Sequence, residues 1–164
     1  MSQPQSDVRA IAVVDIDGVL ADVRHRLHHL EGRKDWNAFF RAAPKDPVLE
    51  VGLDTARQLA EVYDIVYLSG RPEFCRPDTE RWFTKHGIPG GELRLRPRGD
   101  SRPARFFKID ELRRLQQRAP VAVLVDDDVL VCNAAREAGF DVLPATWMGE
   151  APLLLEAQEE EGRT

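Results

Sequence analysis

Residues 11 to 22 read Ile11-Ala12-Val13-Val14-Asp15-Ile16-Asp17-Gly18-Val19-Leu20-Ala21-Asp22. An apolar run leads directly into two carboxylates one residue apart, followed by a glycine. A short apolar run closed by a turn signal reads as a buried parallel strand. Open α/β sheets collect their chemistry just beyond the carboxyl ends of such strands. Asp15 and Asp17 are therefore expected at a strand tip, facing a crevice. Like charges this close repel, and a bound divalent cation would relieve the repulsion.

Downstream, the pattern alternates. Residues 19 to 50 separate the first strand from the next clear helix. Connections in compact domains are usually about 4–6 residues long, so an insert with its own structure is expected at about 21–50. The insert opens basic and histidine-rich (Arg24-His25-Arg26-Leu27-His28-His29) and continues with Asp35-Trp36-Asn37-Ala38-Phe39-Phe40. Asp35 suits a helix cap, and Trp36, Phe39 and Phe40 share one face. Pro44-Lys45-Asp46-Pro47 is a turn signal.

An amphipathic helix follows over 52–62, with Leu53, Ala56, Leu59 and Ala60 as its apolar stripe. A second strand, 64–68, ends at Ser69-Gly70-Arg71-Pro72. A helix over 76–86 is stopped by Gly87 and Pro89. A third strand is expected at 93–96. A loop over 97–104 leads to a helix running from Phe106 to about Arg118. The fourth strand, 121–125, ends at Asp126-Asp127-Asp128. A helix over 130–138 and a fifth strand over 140–143 complete the series. Such alternation predicts an α/β architecture: a Rossmann-like, five-stranded parallel sheet with helices on both faces and a small cap insert after strand 1. One domain over 1–150 is expected, with 151–164 as a mobile acidic tail, a frayed helix or disordered.

The composition is 43% hydrophobic and 31% charged, that of a globular protein. No run approaches the roughly 18 apolar residues that span a bilayer, so no membrane association is expected. Met1 to Asp7 lacks the features of a signal peptide and reads as a short mobile leader. Cys75 and Cys132 lack metal-ligand spacing and read as reduced thiols of a cytoplasmic protein. The formal net charge is −5, unevenly spread. From Arg94 to Arg118, nine Lys/Arg face three acids. A basic middle of this kind suits an anionic substrate, with a solvated helix face as the bland alternative.

Three strand tips now carry polar clusters: Asp15/Asp17, Ser69/Arg71 and Asp126/Asp127/Asp128. Lys108 is expected near the start of the helix preceding the third. A parallel sheet puts all three tips on one edge. The combination suits phosphoryl transfer: a carboxylate nucleophile, a hard cation on oxygen ligands, donors for phosphate oxygens, and a second carboxylate to protonate the leaving oxygen.

This set resembles the haloacid dehalogenase (HAD) superfamily, whose usual members are magnesium-dependent phosphatases. Asp15-x-Asp17-Gly18-Val19 is similar to its first motif. The resemblance implies Asp15 as nucleophile and Asp17 as general acid/base. It also implies Ser69 as the phosphate-binding hydroxyl, Lys108 as the third motif, and Asp126-Asp127 as the acidic fourth motif. Mg²⁺ would then lie on Asp15, the Asp17 backbone carbonyl, Asp126 and Asp127. More narrowly, Ser69-Gly70-Arg71, the arginine-rich passage to Lys108 and the Asp126-Asp127 pair resemble the 3′-phosphatase domain of bacteriophage polynucleotide kinase. That likeness gives Arg71 a phosphate-binding role and implies a phosphorylated nucleotide or nucleic-acid end as substrate. The Asp-Gly-Val-Leu-Ala-Asp string is also similar to the deoxyribonucleotidase branch. No Walker-type phosphate loop is present, and a separate partner could supply a kinase or ligase activity.

Each sharp reading has a bland counterpart. Ser69 and Asp128 also suit helix caps, and Asp128 is read as one. Arg71 also suits a surface ion pair. Phe106 and Phe107 read as core. His25, His28 and His29 have no fourth ligand at zinc spacing. Arg24, His25 and Arg26 are instead candidates to reach over the substrate. Trp36, Phe39 and Phe40 read as the insert's own core rather than a base-stacking platform. The expected activity is a Mg²⁺-dependent phosphomonoesterase acting on a nucleotide or nucleic-acid 3′-phosphate. The rivals are a phosphatase for small metabolites or 5′-nucleotides, and a non-catalytic nucleic-acid-binding module.

Overall fold

A computed structural model describes residues 8–164, so the expected leader over 1–7 lies outside the described residues. Five parallel strands form one sheet: β1 (Ile11–Val14), β2 (Asp64–Pro72), β3 (Glu92–Arg96), β4 (Val121–Asp126) and β5 (Val142–Pro144), in the order β3-β2-β1-β4-β5. β1 occupies the centre because every one of its residues is apolar and buried. Alternate side chains serve opposite faces. Ala12 and Val14 join Ile16, Tyr67 and Trp82 in one core, whereas Ile11 and Val13 join Leu68, Phe107 and Leu112 in the other.

Six α-helices accompany the sheet: α1 (Trp36–Arg41), α2 (Glu50–Val62), α3 (Arg76–His86), α4 (Ala104–Arg118), α5 (Val129–Glu137) and α6 (Pro152–Glu159). The Asp35 side chain caps α1 by accepting from the Ala38 N–H at 2.9 Å. Asp128 caps α5, accepting from the N–H groups of Leu130 and Val131. Gly87 ends α3 in the left-handed conformation (φ 63°) that a side-chain-bearing residue resists. Pro103, with its fixed φ, stands immediately before α4, so the helix starts two residues earlier than its aromatic run suggests.

The insert folds as expected into short elements of its own. A 3₁₀ segment spans Arg24–Leu30, followed by α1 and a 3₁₀ turn at Ala43–Lys45. Leu30, Phe39 and Phe40 form a satellite core with Cys75 and Ala157.

The expected mobile tail is corrected. Residues 152–159 form α6, which buries Leu154 in the main core and Ala157 against the insert. The Arg105 guanidinium donates to the Glu159 carboxylate at 2.6 Å. Acidic composition masks Leu154 and Ala157, whose i, i+3 spacing gives the helix an apolar edge.

Candidate active site

Strand register assembles the site. Val14 pairs with Tyr67 on one side and Val125 on the other. Asp15, Ser69 and Asp126 therefore emerge at the same edge. The Asp15 N–H continues the ladder to the Val125 carbonyl at 2.9 Å, and its side chain is 2% exposed.

Asp15, Asp126 and Asp127 offer carboxylate oxygens that lie within 4.8 Å of one another. Lys108 reaches this cluster from the second turn of α4 rather than from its first residues. Its Nζ lies 2.6 Å from Asp126 Oδ2 and 3.0 Å from Asp15 Oδ2. Burial pushes the Asp15 carboxyl up to about 7, against the opposing pull of the Lys108 ammonium. Burial likewise raises Asp127, and the neighbouring Asp15 and Asp126 charges raise it further. Burial lowers the affinity of Lys108 for its proton, but Asp126 and Asp15 outweigh that and hold it firmly charged.

Gly18 lets Asp127 approach. A Cβ there would collide with the Asp127 carboxylate, and the φ of 79° independently favours glycine. Asp127 Oδ1 is buried and accepts no hydrogen bond among the described residues, and the buried Asp15 Oδ2 faces the Lys108 ammonium at 3.0 Å. Buried carboxylate oxygens without donors are costly in a dry interior. An oxygen-seeking divalent cation fits this donor set, and Asp15, Asp126 and Asp127 are the side chains that would hold it.

Asp17 faces the other way. Its Oδ1 accepts from Arg71 Nε at 2.9 Å and Nη2 at 2.6 Å, and from Arg26 Nη2 at 3.1 Å. Arg26 and Arg71 also donate to Asp46 Oδ2, at 2.8 and 3.1 Å. Arg26 Nε bonds Asp46 Oδ1 at 2.8 Å, and its guanidinium lies 4.3 Å from the Phe39 ring centroid. Two buried carboxylates and two buried guanidiniums thus form a formally neutral quartet. Burial pushes the Asp17 carboxyl up, but Arg71 and then Arg26 override it and hold the group ionised well below the carboxylate range.

Ser69 is 1% exposed, and its Oγ accepts from the Arg71 N–H at 3.1 Å. Gly70 admits the backbone of Thr164, which a Cβ would strike. The Thr164 hydroxyl donates to Asp17 Oδ2 at 2.8 Å, so the end of the described chain closes over the second aspartate.

The structure brings together Asp15, Asp17, Lys108, Ser69, Gly70, Arg71, Asp126 and Asp127. It does not bring in Arg24, which is exposed and paired with Asp22 at 2.5 Å. His25 touches only the rim: its Nε2 lies 2.6 Å from Asp46 Oδ1. The residues missed as site members are Arg26, named only as a cap side chain, and Asp46, read only as part of a turn.

Several charges of the basic passage are paired within the fold. Arg94 pairs with Glu92 and Glu111, Arg102 with Asp100 and Asp110, Arg105 with Glu159, and Arg118 with Glu92. Phe107 is core as expected, whereas Phe106 is exposed.

The phosphatase-domain family of polynucleotide kinase (PNKP) matches residues 9–146. The chain belongs to this family. It is accordingly a HAD-type phosphatase. Among solved structures, a chain of the Pnkp1/Rnl/Hen1 complex superposes with a TM-score of 0.69 at 25% identity, over 87% of this chain and 48% of that one. The PNKP phosphatase-domain chain described here therefore spans about half the length of that relative. A haloacid dehalogenase-like hydrolase, SP0104 from Streptococcus pneumoniae, matches at 15% identity with a TM-score of 0.62, over 93% of this chain and 92% of that one. A HAD-family enzyme from Bacteroides thetaiotaomicron, solved with magnesium and inorganic phosphate, matches at 12% identity with a TM-score of 0.52. It covers 83% of this chain and 93% of that one. These last two establish the fold only. No curated protein sequence matches the chain. Among the described residues, no helix is long and apolar enough to cross a membrane.

Proposed function

We propose that this chain is a magnesium-dependent phosphomonoesterase that removes the 3′-phosphate from a nucleotide or nucleic-acid end through an aspartyl-phosphate. The observation that carries the reading is the Asp15 carboxylate oxygen, buried within an acidic cluster and held 3.0 Å from the Lys108 ammonium. Such an oxygen is available to attack phosphorus in line. Asp15, Asp126, Asp127 and the Asp17 backbone carbonyl would hold Mg²⁺, which would neutralise charge at the phosphoryl group. Lys108 orients Asp15 and balances negative charge as it develops. Ser69, the backbone at Gly70, and Arg71 bind the phosphoryl oxygens.

Asp17 serves as acid, then base. Its ionised state in the substrate-free quartet supports a coupled activation. An arriving phosphate competes for the Arg71 and Arg26 donors. Once they turn to it, Asp17 loses the partners that hold its proton affinity down, while burial continues to raise it. It then takes up the proton that it delivers to the leaving 3′-oxygen. In the second half, Asp17 removes a proton from water attacking the aspartyl-phosphate, and inorganic phosphate leaves.

The insert over 21–50 acts as the cap, contributing Arg26 and Asp46 to the quartet. The Pnkp1/Rnl/Hen1 relative, solved as an assembly, supports a separate kinase or ligase partner. Two buried free thiols suit the cytoplasm.

The test compares 3′-phosphorylated oligonucleotides with 3′- and 5′-mononucleotides and sugar phosphates, with Mg²⁺ and with EDTA. A higher kcat/KM on the oligonucleotide or 3′-nucleotide is expected, abolished by EDTA and by Asp15→Asn. Equal kcat/KM on sugar phosphates would overturn the substrate assignment. Full activity of Asp15→Asn would overturn the nucleophile.

A further inference from the structure

We propose that a groove beside the catalytic centre binds the strand that carries the 3′-phosphate, with Phe74 stacking on an unpaired base and Arg98 and Arg163 contacting flanking phosphates. This rests on the nucleic-acid reading above. The groove encloses about 780 Å³ between Pro72–Phe74, Arg96–Ser101 and Glu161–Arg163.

It joins the catalytic centre on two sides. Pro72 follows Arg71 directly, and Arg96 donates from the groove wall to the Gly70 carbonyl at 3.1 Å. On the far side, Gly162 and Arg163 precede the Thr164 that bonds Asp17. The groove therefore adjoins the place where a phosphate would sit at Ser69 and Arg71.

The lining chemistry selects the occupant. Phe74 is 69% exposed, unusual for so large an apolar ring. Its ring is held edge-on by Phe40, with centroids 5.5 Å apart. A rigid, exposed aromatic face stacks bases of any sequence.

The groove's three acids are already committed to cations. Glu73 pairs with Arg76, Asp100 with Arg102 and Glu161 with Lys34. Arg98 and Arg163, by contrast, form no ion pair among the described residues. Local formal neutrality thus hides two uncommitted guanidiniums facing an open groove, which is the complement of a phosphate backbone.

The path extends further. Arg163 also lines a neighbouring cavity of about 580 Å³, together with Arg33 and Trp36. Its guanidinium lies 5.3 Å from the Trp36 ring centroid. Arg163 thereby joins the groove at Phe74 to the neighbouring cavity at Trp36.

The experiment measures anisotropy of fluorescent ribo- and deoxyribo-oligonucleotides lacking a 3′-phosphate, over a salt series, with the full chain. Thermal melting of every variant checks the fold. Phe74→Ala is expected to weaken binding about 5- to 100-fold, and Phe74→Trp to retain it. Arg98→Ala and Arg163→Ala are each expected to reduce the slope of log K against log salt by about 0.7. Binding and salt slope unchanged in Phe74→Ala and Arg98→Ala would overturn the groove. Weakened binding in the variants, with no hydrolysis of 3′-phosphorylated strands by the wild type, would instead uphold the groove and overturn the 3′-phosphatase reading. The ribo and deoxyribo arms decide which sugar the track accepts.

Discussion

Replacing Lys108 with methionine isolates the charge that holds the acidic cluster together. Methionine keeps an unbranched apolar stem, so packing on α4 is largely preserved. The ammonium removed is 1% exposed and lies 2.6 Å from Asp126 and 3.0 Å from Asp15. Breaking a buried ion pair from one side costs about 3–5 kcal/mol, because the other charge stays buried without compensation. For a domain of this size each kcal/mol lowers Tm by about 2–4 °C, so the expected fall is roughly 6–20 °C in EDTA.

The loss depends on pH, and its sign is fixed by Asp15. Its folded carboxyl titrates at about 7, above its ordinary 3.8. Between those values the folded state binds more protons than the unfolded chain. Its contribution to stability is therefore complete below the lower value and is lost as pH rises through about 7. Without Lys108 the carboxyl titrates higher still. The deficit of the variant should be small at pH 5, where the cluster can protonate, and full at pH 8. Differential scanning calorimetry of both proteins in EDTA at the two pH values measures this. A Lys108→Met Tm within 2 °C of wild type at pH 8, or equal deficits at both pH values, would refute the assignment of Lys108 as the cluster's counter-charge.

Mg²⁺ must displace the Asp15 proton, so the Tm increase on adding Mg²⁺ to the wild type should be larger at pH 8 than at pH 6. An increase independent of pH would separate the ion from Asp15. Arg26→Lys keeps one charge but cannot reproduce the forked contacts to Asp17 and Asp46. It should lower kcat/KM on 3′-phosphorylated substrate about 100-fold while Arg24→Lys leaves it unchanged; equal effects would place the two arginines wrongly. Thr164→Val removes the hydroxyl that substrate must displace from Asp17. It should raise kcat/KM for p-nitrophenyl phosphate about tenfold, and a fall would show that the hydroxyl assists rather than competes.

The strand-tip groups were legible because their placement needs only the sheet. Once 11–14, 64–68 and 121–125 are parallel neighbours, Asp15, Ser69 and Asp126 share an edge whatever the loops do. Lys108 was legible as chemistry and misplaced by two residues along its helix, since Pro103 starts α4 before the aromatic run begins. Arg26 and Asp46 were not legible as partners. Their meeting depends on how the insert folds back across 20 residues. Periodicity carries no phase for Arg24-His25-Arg26 in a short 3₁₀ segment. One arginine faces solvent and the next but one is buried. For α6, composition concealed position: the glutamates dominate the tail, while Leu154 and Ala157 decide where it docks.

The division of charge explains why one site needs both halves. Asp15, Asp126 and Asp127 against Lys108 leave two formal negative charges, the amount one divalent cation cancels. Asp17 and Asp46 against Arg26 and Arg71 leave none. A phosphate dianion approaching the neutral half meets attraction only if the two guanidiniums transfer to it. That transfer strips Asp17 of the partners that keep it ionised. The resulting excess of negative charge is relieved most directly by a proton on Asp17, where the leaving oxygen needs one. Asp46 retains a potential partner in His25, whose Nε2 lies 2.6 Å away. The half-exposed imidazole can hold Asp46 in place while the arginines are engaged elsewhere. On the proposed mechanism, acid activation at Asp17 is in this way tied to occupancy by phosphate, and Asp17 stays ionised in the empty site.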